Sequence, residues 1–422
     1  MPQPDSRLLP FPTAASAAAV PPKRERDARI DLFRGLALAM ILIDHMPVNP
    51  YEHITLRNFG FSDAAEAFFL MSGIAAGIAY SPKLKQWMAG ERGFVDAAAP
   101  LWKRAWTLYR VQILMTLWVL AMYAVAADVF YRAEFREVHN LGLIFTETGT
   151  ALMGIVTLGY QIGYVNILPA YIVLMLVTPL ILLGVIRAPW LTLGLSLVVW
   201  FVAGALRLNI PNHPGGGGWF FSPLTWQAIF VVGLCTGVAL REGRRFVPVS
   251  RTAFWAASAA LLVILAWRFI PDFGAYMNNQ MARLGRAGAP GNIVSHNKTL
   301  LAAPRFLHIL LLAYVISCMP WVKRMAAHRW AAPVRLLGRQ ALPVFVASTV
   351  LGLGGQILLD VEPSNVWFPW VLPPVAIGIM LLVAQAYENG LWPGGSLVRS
   401  ERQRRIEPPV TTPRKKVDRA AS

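Results

Sequence analysis

The segment from Ile30 to Met46, IDLFRGLALAMILIDHM, sets an apolar run against four charged or titratable groups, Asp31, Arg34, Asp44 and His45. A membrane-crossing helix carries such groups only at a cost, which makes them candidates for function. The uninterrupted apolar core, Gly35 to Ile43, is shorter than the ~20 residues a crossing needs at about 1.5 Å of rise each, so the charged ends lie in or near the membrane boundary. Arg34 and His45 are eleven residues apart. At ~100° per residue that is three turns plus roughly 20°, which places both on one helix face about 16 Å apart. One face then carries a cation at one depth and a proton-transfer group at another. The same spacing suits an arginine that snorkels to lipid phosphate and a histidine that caps the outer helix end.

The chain of 422 residues is 56% hydrophobic and 14% charged, with its apolar residues in long blocks. This predicts an all-α, polytopic integral membrane protein of about ten transmembrane helices, with the lipid bilayer as its first partner. The net charge of +17 is spread between the apolar blocks and in the tails rather than in one aromatic-laced patch, so a nucleic-acid partner is not expected. Cys235 and Cys318 lie inside apolar segments and suggest neither a disulfide framework nor a metal site. In residues 1–28 the weak apolar stretch TAASAAAV precedes the basic cluster, the wrong order for a signal peptide, so the first helix serves as its own insertion signal. Three regions result: a disordered cytoplasmic tail over 1–28, a transmembrane domain over 29–388, and a disordered basic cytoplasmic tail over 389–422.

Lys23, Arg24, Arg26 and Arg29 before the first helix place the N-terminus in the cytoplasm by the positive-inside rule. A second helix over Phe61–Tyr80 carries Asp63 and Glu66 near its outer end, at the depth of His45, and Gly73 and Gly77 as a small-xxx-small pair for close helix approach. Further spans are expected at about Ala105–Val129, Asn166–Ile186, Leu191–Leu206, Pro223–Leu240, Ala253–Ile270, Pro304–Trp321, Ala341–Leu359 and Trp367–Tyr387. Residues 141–160 read as an outer interfacial or re-entrant segment. In this arrangement 28 Lys and Arg fall in inner loops and tails against 7 in outer loops, and both termini are cytoplasmic. The outer loops 207–222, with NHPGGGGW, and 271–303 are the longest. Trp219 beside the glycine run is suited either to stacking on a sugar or to anchoring at the interface.

RIDLFRGLALAMILIDH followed by TLRNFGFSDAAEAFFLMSG resembles the opening of the OpgC family, membrane succinyltransferases of osmoregulated periplasmic glucans, and more distantly the acyltransferase-3 membrane families. The likeness continues through LWKRAWTLYR, NILPAYIVLMLVTP, SPLTWQAIFVVG, NKTLLAAPRFLHILLLAY and LGRQALPVF, from residue 28 to about 350. Arg34 and His45 match the arginine and histidine of the first helix; Phe68, Phe69, Ser72 and Gly73 match the FF-x-x-SG block of the second. Ala341 stands where a hydroxyl residue is expected, a departure that bears on the substrate.

The resemblance implies transfer of an acyl group, succinyl in the named family, from cytoplasmic acyl-CoA to a hydroxyl of a periplasmic glucan across a bacterial inner membrane. The donor is a substrate, and no permanently bound cofactor or metal is implied. For that reaction His45 is the candidate general base, with Asp44, Asp63 and Glu66 as orienting acids. Arg34, Lys103, Arg104 and Arg110 are candidates for the phosphates of CoA, although positive-inside topology alone also puts cations there. Arg305 and His308, one turn apart at an outer helix end, are candidates for binding the glycan or a departing carboxylate. Ser72 lacks the turn that exposes a hydrolase nucleophile and sits in mid-helix. Other readings are O- or N-acetylation of another surface glycan and, against the lack of repeated halves, a proton-coupled transporter.

Overall fold

The computed structural model describes residues 27–391. The tails assigned to 1–28 and 389–422 lie outside these residues apart from their innermost positions. Among the described residues the regular elements are helical except for one isolated bridge between Pro211 and Gly218. The α-helices begin with α1 (Ala28–Asp44), α2 (Ala64–Met88) and α3 (Phe94–Val129), followed by the short α4 (Gly142–Thr146) and α5 (Thr148–Val156). Then come α6 (Ile167–Arg187), α7 (Pro189–Ala205), α8 (Pro223–Arg241), α9 (Arg251–Phe269) and a polar helix, α10 (Pro271–Arg286). Next, α11 (Ala303–Cys318) turns through 81° into α12 (Pro320–Ala327) and α13 (Ala332–Arg339). Finally α14 (Ala341–Val361) and α15 (Phe368–Glu388) complete the order.

Seven of these helices are long and apolar enough to cross a membrane, and the bent pair α11 and α12 makes an eighth. Helices α7 and α1, of 17 residues each, complete the ten predicted segments. Bonds between helix ends show that the chain alternates direction. At the end holding Ala28, Lys85 pairs with Glu242, the Arg245 guanidinium donates to the Ser317 hydroxyl over 2.8 Å, and Gln340 donates to Glu388 over 2.7 Å. At the end holding His45, Tyr51 donates to the Trp370 carbonyl over 3.0 Å and Arg132 to that of Asp360 over 2.7 Å.

Several boundaries differ from the sequence reading. Helix α2 runs past Tyr80 through Pro82 to Met88, and α3 starts at Phe94, so the inner loop shrinks to a few residues. A proline inside a helix removes one donor without ending it where neighbouring helices hold the backbone. Helix α11 stops at Cys318 because Pro320 disfavours helical geometry in the residue before it. The outer loop 271–303 contains α10, and the inner stretch before α14 contains α12 and α13. Residues 141–160, read as an interfacial or re-entrant segment, form the short helices α4 and α5, neither long enough to span.

The tightest packing joins α2 to α8. A Cβ on Gly73 or Gly77 would strike the carbonyls of Phe230 or Leu234, and one on Gly233 or Gly237 would strike those of Leu70 or Ile74. The two pairs of small residues, each four apart, therefore let the backbones touch, the main route to helix association where surrounding lipid is as apolar as the side chains. Around this seam Phe69, Trp226 and Phe230 are fully buried. At the Ala28 end α13 lies against α1, with Gly338 backed onto the Asp31 carbonyl and Gly35 onto that of Val334.

Candidate active site

Helix α1 ends where its last carbonyls run out of partners, and one backbone amide and two side chains fix that end. The His45 amide closes the final turn on the carbonyls of Ile41 and Leu42 at 3.0 and 3.2 Å. The Asn49 amide donates to the carbonyls of Ile43, over 2.9 Å, and Met46. Gln356 of α14 donates to the His45 carbonyl over 2.5 Å. The carbonyls left open at a helix C-terminus are thus satisfied by side chains, and His45 is held at a fixed height. Its ring meets Tyr164 edge-on, and its Nδ1 is sealed from solvent with no hydrogen-bond partner. That leaves Nε2 as the nitrogen able to meet a substrate.

His45 lines an open cavity of about 1000 Å³. Its wall joins polar and aromatic groups: Asp44, Asn166 and Asn278 beside Phe61, Tyr164, Phe220, Phe221 and Trp267. Four cations, Arg57, Arg268, Lys298 and Arg305, and one further imidazole, His296, also face it. Asp44 accepts a hydrogen bond from the Thr55 hydroxyl over 2.7 Å, which ties the end of α1 to the short turn carrying Arg57. Burial holds the His296 ring below the usual histidine range, and the charges of Arg305 and Arg268 push the same way.

Asp63 and Glu66 form a capping box at the start of α2. The Asp63 carboxylate accepts from the Ala65 amide over 2.8 Å, and Glu66 accepts from the Asp63 amide over 2.9 Å. Their remaining oxygens bind cations from distant parts of the chain. Arg305 donates to Glu66 over 2.6 Å and to Asp63 over 2.9 Å, while Lys298 donates to Asp63 over 2.5 Å. The loop bearing Lys298 is pinned to the bundle because the indole of Trp226 donates to the carbonyls of Lys298 and Thr299, and that of Trp200 to Leu301.

The sequence-derived residues therefore separate into groups. His45, Asp44, Asp63 and Arg305 line one cavity. Glu66 lies fully buried behind it, bonded to Arg305. None of the three acids bonds the His45 ring, because each is already engaged elsewhere. His308 stands behind the wall, its Nδ1 2.6 Å from the Ser62 hydroxyl. Of the cations assigned to CoA, Lys103 and Arg110 line a separate shallow groove of about 530 Å³ with Trp102 and Trp106, whereas Arg34 and Arg104 line neither space. Ser72 is buried in mid-α2, away from the cavity. Trp219 is buried too, and its neighbours Phe220 and Phe221 reach the site, under the ammonium of Lys298 at 5.8 and 5.7 Å.

Sequence reasoning missed Arg57, Arg268, Lys298, His296, Trp267 and Tyr164. One signal was present for Arg57 and Lys298: the sequence places these cations in loops it expects outside, on the side that the positive-inside rule depletes.

No curated protein and no solved structure matches the chain. A family model described as OpgC protein matches residues 26–390, nearly the whole chain including every helix around the cavity. That span shows that the chain belongs to the OpgC family.

Proposed function

We propose that this chain moves a succinyl group from acyl-CoA to a hydroxyl of a periplasmic glucan, with His45 as the general base. Membership of the OpgC family supports an acyltransferase role. One observation carries the finer reading: His45, with its Nδ1 sealed from solvent, lines a large polar and aromatic cavity eleven residues along one helix from Arg34. In this reading the cavity faces the periplasm of a bacterial inner membrane, both termini are cytoplasmic, and the glucan hydroxyl enters beside His45.

Nε2 takes the hydroxyl proton as the oxygen attacks the thioester carbonyl; the carbon–sulfur bond then breaks, and the proton passes to the departing CoA thiolate. Asp44 and the negative end of the α1 dipole offset the charge the ring gains, so no carboxylate need bond it directly. Asp63 and Glu66 serve by holding Lys298 and Arg305 in the wall, and His308 by holding the turn before α2. Arg34 grips the phosphates of the donor at the cytoplasmic end, with Lys103, Arg104 and Arg110 as outlying cations that guide its approach. The ~16 Å between Arg34 and His45 is about the reach of an extended pantetheine arm.

The test is purified protein in vesicles, supplied with succinyl-CoA and linear glucan. Wild type should form succinyl esters, and His45→Ala should lose roughly two or more orders of magnitude while keeping its melting temperature. A variant that acylates at near-normal rate would move the base elsewhere.

A further inference from the structure

The cavity wall holds more positive charge than its own acids use. Lys298 and Arg305 are consumed by Asp63 and Glu66. Arg57 and Arg268 face the same space, both are exposed, and among the described residues neither forms an ion pair. Such surplus is unusual on the side of a membrane protein that the positive-inside rule depletes of cations. The geometry separates the two. Arg57 sits in the turn that Thr55 ties to Asp44, the residue before His45, and all three of Arg57, Asp44 and His45 line the cavity. Arg268 lies at the end of α9, where its neighbours are Trp267 and His296. The two strips of chain are held together by aromatic contacts, Phe59 with Phe269 at 6.4 Å and Phe61 with Trp267 at 5.0 Å.

We propose that Arg57 selects a dicarboxylic acyl group, its guanidinium holding the distal carboxylate while His45 works at the other end of the acyl chain. This rests on the reading of the cavity as an acyl-transfer site and adds the residue that chooses the acyl group. An extended four-carbon chain places its terminal carbons about 4 Å apart. The distal carboxylate of a succinyl group at His45 therefore stays near the end of α1, to which Thr55 ties the turn of Arg57, the cavity cation on that side without an ion pair among the described residues. A guanidinium offers two parallel donors that match a carboxylate. An acetyl group presents nothing to that fork, and since Arg57 is exposed to water, acetyl transfer neither gains nor loses by it.

The experiment compares succinyl-CoA with acetyl-CoA on the same glucan, using wild type, Arg57→Gln, Arg57→Lys and Arg268→Gln in vesicles. Arg57→Gln should lower kcat/KM for succinyl transfer roughly 10- to 100-fold and leave acetyl transfer within about twofold. Arg57→Lys should keep part of the preference, and Arg268→Gln should leave the donor ratio unchanged. If Arg57→Gln lowers both donors equally, or neither, Arg57 does not read the acyl group and the inference falls while the function stands. Wild type that forms no ester from either donor would overturn both.

Discussion

The ring of Tyr164 stands edge-on to the imidazole of His45, with centroids 4.6 Å apart and planes at 73°. Its other side meets His139 the same way, at 5.0 Å and 86°. Tyr164 holds this place at a backbone φ of 64°, in the left-handed region that bulky residues avoid.

Such a conformation costs on the order of 1–3 kcal/mol and persists only where its surroundings fix it; here two imidazoles clamp the ring. Tyr164→Gly removes that cost along with the ring. Its melting temperature should hold or rise, while kcat falls about tenfold with little change in KM, because an edge contact of about 0.5–1.5 kcal/mol no longer orients His45. Tyr164→Phe keeps the ring and should stay near wild type. A glycine variant with unaltered kcat would remove Tyr164 from the positioning of His45.

Arg305 is nearly buried between Asp63 and the fully buried Glu66. Arg305→Met leaves Glu66 without its cation in an apolar setting and should cost about 3–5 kcal/mol, read as a large loss of melting temperature in detergent. Adding Glu66→Gln removes the stranded charge and should recover much of the loss. Adding Asp63→Asn should not, because Lys298 still serves Asp63. Equal rescue by both substitutions would show that the cost is not centred on Glu66.

Much of this bundle is legible in the sequence because lipid imposes simple rules. Apolar length marks the helices, Gly73 and Gly77 mark the α2 seam, and the broken pattern of residues 141–160 marks a segment that is not a full span. The partners of the acids are not legible. Asp63 and Glu66 meet Lys298 and Arg305 across more than 230 residues, and no periodicity connects segments so far apart. A one-helix reading places the acids at the depth of His45, and Asp63 lines the same cavity. That reading cannot show that cations from the α10–α11 loop and α11 take them first. Helix α10 was hidden for another reason: its polar composition looks like a loop until its residues are placed on a helix.

His296 stands outside the spanning helices, packed on Phe61 at 4.3 Å and Trp267 at 5.7 Å. Burial, then the charges of Arg305 and Arg268, hold its folded pKa below the ordinary value of about 6.5. Between those two values the unfolded chain binds a proton that the folded chain does not, so the stability lost through His296 grows as pH falls below about 6.5 and levels off at its full value below the folded pKa. The melting temperature should therefore fall between pH 7.5 and 5.5. His296→Phe, which keeps the aromatic contacts, should fall less. Identical slopes for the two proteins would place the proton uptake elsewhere.

Orientation is the last expectation, and two kinds of observation bear on it. Cross-links between helix ends fix which loops share an end: Lys85 with Glu242 at one, Tyr51 with Trp370 at the other. The 28-to-7 division of Lys and Arg assigns the first of these ends to the cytoplasm. Ile54 is 68% exposed in the turn beyond His45, and Arg244 is exposed beside Glu242. With Cys235 and Cys318 replaced, an impermeant maleimide applied to whole cells with a permeable outer membrane should label Ile54→Cys and spare Arg244→Cys. Both should react once the inner membrane is opened. Labelling of both in intact cells would break the alternation of the ten helices. The reverse pattern would keep the fold but turn it over, putting the His45 cavity in the cytoplasm with the donor and removing the need for a path along α1.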